Sequence, residues 1–206
     1  MKKKVLASAL TFVLASGSAM AAVTTGQLTF NWQAVVPTAP VTSTAWAFVD
    51  GLDIPFVPGT EQLNIARTAT GIKAVSLKPY DFFIVPVDTT GTITTITNGT
   101  PVKRDTTKPL LATKVFLGSM PVSNGLVGNK QLELSTAKDA VDGQIAINVN
   151  GKPLKVGSTA ATSIIGSATD HEEHIVIDMN ASIPNADVKD GASLSFVAPV
   201  IFAVDI

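Results

Sequence analysis

The sequence predicts an all-β sandwich with Greek-key connections, and three observations carry this prediction. Twelve prolines are spread along the 206 residues, and together with Gly, Asn and Asp they divide the chain into the short segments typical of strands and turns. Within these segments apolar and polar residues mostly alternate, as in strands with one buried face. Few windows keep the 3.6-residue period of a helix; residues 135–141 are predicted to form one or two helical turns.

Six segments before the C-terminus carry the apolar pattern of strands. They are residues 28–32, 82–85, 114–117, 131–134, 145–149 and 174–178. Asn150-Gly151 follows the fifth segment and is the strongest hairpin signal in the chain, because a type I′ turn needs positive φ at both central residues. Pro153 lacks a backbone N–H, so the strand after this turn is predicted to lie at the edge of its sheet.

Composition and charge narrow the function classes. The chain has 15 Lys and Arg against 16 Asp and Glu, and it has no Cys. After residue 4 the largest basic cluster is the Lys103-Arg104 pair, which argues against a nucleic-acid or anionic-membrane partner. A chain without Cys contains no thiol nucleophile, no Cys-ligated zinc and no disulfide framework.

Residues 1–21 have the pattern of an export signal. Lysines occupy positions 2–4, an apolar stretch follows over 5–15, and Ala19-Met20-Ala21 has the small-x-small pattern that signal peptidase reads. The apolar stretch is far shorter than the about 20 residues that a transmembrane helix needs. The mature chain is therefore expected to begin at residue 22 and to be exported.

The C-terminal segment predicts a long strand with one strongly apolar face. The apolar residues of one parity, which a strand places on one side, are Leu194, Phe196, Ala198, Val200, Phe202, Val204 and Ile206. Pro199 has the other parity, and its missing N–H predicts a bulge or a break in one ladder. Because this strand is the last segment of the sequence, we expect an edge that no later segment fills. Native proteins rarely leave such an edge bare, since it templates aggregation.

The segment after the export signal, residues 22–32, is a second extended element. Gly26, Leu28, Phe30 and Trp32 share one parity, and burying each large side chain contributes about 1.5–3 kcal/mol. One interpretation is that this strand pairs within its own domain. The other is that it fills the open edge of a neighbouring copy by β-strand addition. Such a contact is heterologous and need not close, so it would build a fibre; the residue pattern leaves both interpretations open.

Four segments resemble the major subunits of the coli surface antigen colonisation-factor fimbriae of enterotoxigenic Escherichia coli. They are residues 26–32 (GQLTFNW), 78–87 (KPYDFFIVPV), 121–125 (PVSNG) and 197–206 (VAPVIFAVDI). The first of them also resembles the donor-strand region of chaperone–usher pilins. The chain lacks the disulfide and the penultimate tyrosine of many other pilins, so the features that stabilise those proteins do not carry over.

The resemblance implies an incomplete immunoglobulin-like β-sandwich that lacks its last strand and is completed by donor-strand exchange. It divides the chain into a removed signal peptide (1–21), an N-terminal donor strand (22–32) and a pilin domain (33–206). The implied donor residues are Gly26, Leu28, Phe30 and Trp32, and the implied acceptor groove comprises Leu194, Phe196, Val200, Phe202, Val204 and Ile206. The implied partners are copies of the chain, a periplasmic chaperone, an outer-membrane usher, a tip adhesin and a host surface receptor, along a route through the periplasm to the cell surface.

Charged residues offer weaker candidates for chemistry. The HEEH motif at residues 171–174 lacks the i, i+4 histidine spacing of the H-E-x-x-H metalloprotease helix. In a strand, residues 171 and 174 would face opposite sides, so we interpret the motif as a charged turn before a strand. Asp50, Asp53 and Glu61 could mimic the paired carboxylates of a glycosidase, but acids scattered over loops make such coincidences common.

The sequence therefore predicts a structural fimbrial subunit with no catalytic residues, cofactor or metal. The alternative is a self-contained secreted β-sandwich lectin or receptor-binding module. Trp46, Phe48 and Phe56 around residues 50–55 would be its aromatic candidates, although core packing is the favoured interpretation for at least one of these side chains. A secreted hydrolase is a third class, which would require carboxylates with shifted pKa values in a concave site.

Overall fold

The computed structural model describes residues 24–31, 46–88, 99–108, 112–164 and 171–205. These residues form strands and short 3₁₀ turns and contain no α-helix, which confirms the all-β prediction. The strands are β1 Thr24–Asn31, β2 Trp46–Val49, β3 Leu63–Arg67, β4 Gly71–Ser76, β5 Tyr80–Pro86, β6 Ala112–Leu117, β7 Val122–Asn124, β8 Glu133–Leu134, β9 Gln144–Val149, β10 Lys152–Pro153, β11 Thr162–Ile164, β12 Glu173–Pro184 and β13 Ser195–Asp205. The 3₁₀ turns are Val127–Asn129, Ser158–Ala160 and Asn185–Asp187. The predicted signal peptide lies outside the described residues.

The first sheet is built around β13 and has the order β1-β13-β6-β11. β6 and then β7 pair with one side of β13, and β1 pairs with the other side. The apolar sequence of β13 suits this central position, because a strand flanked on both sides is shielded from water along both edges. Strands from the two ends of the described sequence therefore lie side by side.

The second sheet is built around the 12-residue strand β12 and has the order β10-β9-β12-β4-β3. One side of β12 pairs with β5 and then with β4, and the other side pairs with β9. β2 pairs with β5, and β8 pairs in parallel with β9. The two open sheets are consistent with an incomplete immunoglobulin-like sandwich.

Aromatic rings join the two sheets in the core. Phe202 on β13 contacts Phe48 on β2 and Phe82 on β5, with ring centroids 5.0 and 5.9 Å apart. These edge-to-face contacts are favourable beyond the area they bury. Trp46 packs against Phe48 at 5.0 Å, and both side chains are 0% exposed. The predicted core packing of at least one aromatic residue in this region is therefore confirmed. Phe56 is half-buried and stacks on Phe82 at 4.4 Å.

The hairpin between β9 and β10 forms where the sequence predicts it. Asn150 and Gly151 have φ values of +48° and +73°, the two positive angles of a type I′ turn. The Asn150 side chain is held on both sides, because its Oδ1 accepts from the N–H of Val176 at 2.7 Å and its Nδ2 donates to the carbonyl of His174 at 2.9 Å. Pro153 lies on β10, at the edge of the second sheet, as predicted.

The helical turns predicted for residues 135–141 are wrong, because this segment is a series of bends. Asn180 on β12 accepts a hydrogen bond from the N–H of Ala140 at 2.7 Å and donates one to the carbonyl of Lys138 at 2.9 Å. A side chain of the sheet thus takes two backbone groups that a helix would pair with residues four positions away. No local sequence pattern in the segment predicts a partner such as Asn180, which lies 40 residues away from Ala140.

Substitutions of two glycines near β7 can test how closely the chain packs at Ser193. Gly125 has φ +87°, and a Cβ added to it would lie 1.9 Å from the carbonyl oxygen of Ser193, whereas Gly128 has φ +66° and its Cβ would meet nothing within 4 Å. Gly128→Ala should therefore lose only about 1 kcal/mol for the left-handed backbone. Gly125→Ala should lose about 3 kcal/mol, because overpacking adds to the same strain. Urea unfolding of the two purified variants measures the difference, and equal losses would contradict the close approach of Ser193.

Candidate functional site

The N-terminal strand completes the first sheet along its whole length. β1 pairs antiparallel with β13 over eight residues, from Thr24 opposite Val204 to Asn31 opposite Val197. The pairing lies within one chain, so the two ends of the described sequence meet at this seam. A second copy of β1 could occupy the same place only after this one had left it.

The predicted groove residues line the inner side of β13. Phe196, Val200, Phe202 and Val204 are 0% exposed. Leu194 comes just before the strand begins and is also buried. Ile206 lies outside the described residues. The residues of one parity are therefore buried along this strand, as the alternating sequence pattern predicts.

Leu28 is a side chain that β1 contributes to the core. It is 1% exposed and belongs to the main hydrophobic cluster, whereas its neighbour Gln27 is exposed. Full burial of a leucine contributes about 1.5–3 kcal/mol. The backbone of Phe30 lies opposite Ala198, and Trp32 lies outside the described residues.

Gly26 lies directly opposite Phe202 in the ladder. Side chains at such positions have Cβ atoms about 4.5–5.5 Å apart and contact each other. The ring of Phe202 reaches across the core to Phe48 and Phe82. Gly26 therefore places no side chain of β1 beside this residue.

Pro199 interrupts the sheet on the side away from β1. Its carbonyl accepts a hydrogen bond from the N–H of Gly118 at 2.9 Å, just beyond the end of β6. In an antiparallel strand the N–H and C=O of one residue point to the same side, so the missing N–H of Pro199 also faces the gap between β6 and β7. Thr29, opposite Pro199, is therefore a non-hydrogen-bonded partner. The predicted break costs β1 no hydrogen bond.

The acidic candidates Asp53 and Glu172 both form ion pairs with Arg104, and we call these three residues the hub at Arg104. The guanidinium of Arg104 bonds Asp53 at 2.5 Å and also contacts Glu172. Burial lowers the pKa of Arg104, but the hydrogen bonds to Glu172 and Asp53 raise it by more, so the net shift is upward. The carboxylate of Asp50 caps a turn by accepting from the backbone N–H groups of Leu52 and Ile54. These carboxylates therefore hold loops together and do not face one another across a cleft.

The HEEH motif begins with a bend at His171, and its last two residues, Glu173 and His174, are the first two residues of β12. His174 is exposed, its Nε2 lies 2.6 Å from Asp81 Oδ1, and its ring stacks on Phe83 at 4.8 Å. The residues that the structure describes contain no group of three His, Cys, Asp or Glu side chains arranged to hold a metal ion. They also contain no helix long and apolar enough to cross a membrane.

Sequence reasoning missed the residues that face the groove from elsewhere in the fold. Phe82 forms its far wall from the second sheet, and Val115 and Leu117 on β6 lie beside β13; all three are 0% exposed. Their strands were predicted, but their positions near β13 depend on pairings between distant segments. No signal within either segment identifies such a partner.

Comparison with known proteins identifies the family. The chain is 57% identical over 208 residues to the CS5 fimbrial subunit of Escherichia coli, and the alignment covers 100% of both chains. No protein-family model and no solved structure matches the chain. Full-length identity at this level shows common descent and a common fold. The chain belongs to the family of colonisation-factor fimbrial subunits that includes the CS5 subunit.

Proposed function

We propose that this chain is the major structural subunit of a bacterial surface fimbria, a colonisation factor that polymerises by donor-strand exchange and supports adhesion to host cells. In this proposal residues 22–32 of one copy take the place of β1 in the next copy. The observation that carries it is the eight-residue pairing of β1 with β13, beside an edge that no other described strand fills.

β1 can leave its place without breaking any other pair of described strands. Among the described strands it pairs with β13 alone. It comes before all other described strands, and residues 32–45 separate it from β2. Its departure therefore breaks one ladder and leaves every other strand pair intact.

The place of β1 cannot remain empty. Without it, backbone N–H and C=O groups along one side of β13 would be unpaired, and the apolar inner side of that strand would open to water. Several kcal/mol of burial and hydrogen bonding therefore favour an occupied groove. The occupant can be the chain's own strand, a strand of another copy, or a strand of the periplasmic chaperone that the resemblance implies.

Exchange between copies gives a linear polymer. The donor strand and the groove are different surfaces of the molecule, so each copy can donate to one neighbour and accept from another. In the proposal a chaperone and an outer-membrane usher deliver the subunits through the periplasm, and a tip adhesin and a host receptor act at the far end. The relative's description as a fimbrial subunit supports the assembly into a fimbria.

A self-contained secreted β-sandwich module is the second candidate. The observation that favours it is that β1 pairs with β13 of its own chain. A sandwich completed in this way has no need of a neighbour. The two candidates differ in whether one chain's groove accepts another chain's strand, and this is what the following experiments test.

A damaged donor strand should cap the polymer. A copy carrying Leu28→Asp keeps an intact groove but cannot bury residue 28 in another copy, because an unpaired charge in the core costs several kcal/mol. Co-expressed with the unchanged chain, it should accept a strand and donate none. Fibre length, measured by electron microscopy, should fall as the proportion of the variant rises.

Gln27→Asp is the matched control for this experiment. It places the same carboxylate one residue away, on an exposed side chain of the same strand. Co-expression at the same proportions should leave fibre length unchanged. Fibres of equal length with both variants would show that β1 is not the donor.

The antiparallel register allows the donor strand to be moved to the other end of the chain. Because the two strands are antiparallel and Thr24 lies opposite Val204, the start of β1 and the end of β13 lie at the same end of the seam, where an Asn-Gly turn can join the two segments as a hairpin. A chain without residues 22–31 at its N-terminus, but with that segment appended after Ile206 through Asn-Gly, should be a soluble monomer. It should no longer polymerise, since the tethered strand reaches its groove first.

Leu28→Asp in the appended segment is the control. It should lower the unfolding temperature by several degrees, because the tethered strand no longer seats its core side chain. Thermal unfolding at equal concentration compares the two forms. Fibres from the rearranged chain, or identical melting of both forms, would contradict the proposal that this strand fills the groove.

A further inference from the structure

The outer side of β13 is apolar, although it faces away from the core. Its residues are Val197, Pro199, Ile201 and Ala203, all of them partly exposed. A central strand that is apolar on both sides is the pattern of a strand covered on both faces. The described strands form two sheets, and none of them forms a third layer over this outer side.

β12, the central strand of the other sheet, shows the contrast. Its outward residues are His174, Val176, Asp178, Asn180 and Ser182, of which four are polar. The two central strands thus have similar apolar inner sides and opposite outer sides. The apolar outer side of β13 is therefore specific to this strand and is not explained by the apolar composition of the whole chain.

The apolar side chains of the outer side of β13 continue onto β6 and β7. Phe116 on β6 lies opposite Ile201, and Val122 on β7 lies opposite Val197. Between them, Gly118 has no side chain, and a Cβ there would lie 2.9 Å from Ile201 Cδ1. We call Phe116, Val122, Val197, Pro199 and Ile201 the outer patch. Exposed apolar areas of this kind mark contact sites in soluble proteins.

The thermodynamics of strand exchange require a contact beyond the strand itself. A strand from a neighbour makes the same ladder with β13 as the chain's own β1, so the free energy of the ladder cancels between the closed monomer and the polymer. Joining two copies costs entropy, and surfaces that meet only in the polymer can offset this cost. The outer patch is our candidate for such a surface.

The direction of β1 shows which copy can reach it. The strand runs from Val204 towards Val197 and ends at Asn31 opposite Val197. The body of a donating copy therefore follows at the Val197 end, where Val122 is 47% exposed. We propose that the outer patch packs against a second copy of this chain, the one whose strand occupies the groove; this inference rests on the proposed function.

Engineered thiols provide the test, because the chain has no Cys and each introduced thiol is unique. Val122→Cys places a thiol in the outer patch. Val75→Cys is the matched control, since Val75 is also a strand valine and is 46% exposed against 47% for Val122. The rate of maleimide modification is measured for both full-length variants, in purified fibres and in the monomeric fraction, and is normalised to the rate in urea.

In the monomeric fraction the two thiols should react at similar rates. In fibres the thiol at position 122 should react at least tenfold more slowly than the thiol at position 75. Equal rates in fibres would overturn the proposal. Protection at position 122 already in the monomer would also overturn it, because the cover would then come from the same chain.

The result is separable from the proposed function. If fibre length is insensitive to Leu28→Asp, donor-strand exchange itself fails, whatever the thiols do. If Leu28→Asp caps the fibres and the thiol at position 122 stays reactive, exchange holds and the outer patch alone is wrong. Fibres of Val122→Lys should also dissociate at a lower temperature than fibres of Val75→Lys, for which no such loss is expected.

Discussion

The open edge of β13 is the constraint on which the rest of the structure depends. One side of this strand is paired with β6 and β7, its inner side lies in the core, and its remaining edge must find hydrogen-bond partners. Among the described strands, β1 fills that edge. The sandwich is therefore closed by joining the first described strand to the last, and every functional argument concerns which copy supplies that strand.

Much of this seam could be predicted from the sequence, because it depends on a period of two. The burial of Phe202 and Val204 follows from their parity, and the turn at Asn150-Gly151 follows from its local chemistry. The hub at Arg104 and the loop held by Asn180 could not be predicted, because their partners lie tens of residues away. The side on which Pro199 interrupts the sheet could not be predicted either. The parity of Pro199 shows that one ladder loses a donor, but only the fold shows which ladder it is.

The chain has no Cys, and aromatic contacts join the two sheets in the core. Phe202 reaches Phe48 and Phe82 across the core, so the strand that needs an edge partner also carries the main link between the sheets. Loss of the β1 ladder would free one edge of β13 and loosen that link. Occupancy of the groove and packing of the core are therefore coupled through one side chain, and Gly26 opposite it keeps the place beside it open.

The chain's own β1 and the strand of another copy compete for the same groove, and the strand that arrives first has the advantage. Only residues 32–45 connect β1 to the rest of the fold, and closing a loop of this length costs about 2 kcal/mol of length-dependent entropy, so a chain left alone readily seats its own strand. A donor arriving later would have to wait for eight residue pairs to open, and opening of a buried ladder is slow. Polymerisation at a useful rate therefore requires that the groove be held by something else first. A periplasmic chaperone would meet this requirement by occupying β13 before β1 does, and the contacts at the outer patch would then make the release into the polymer downhill.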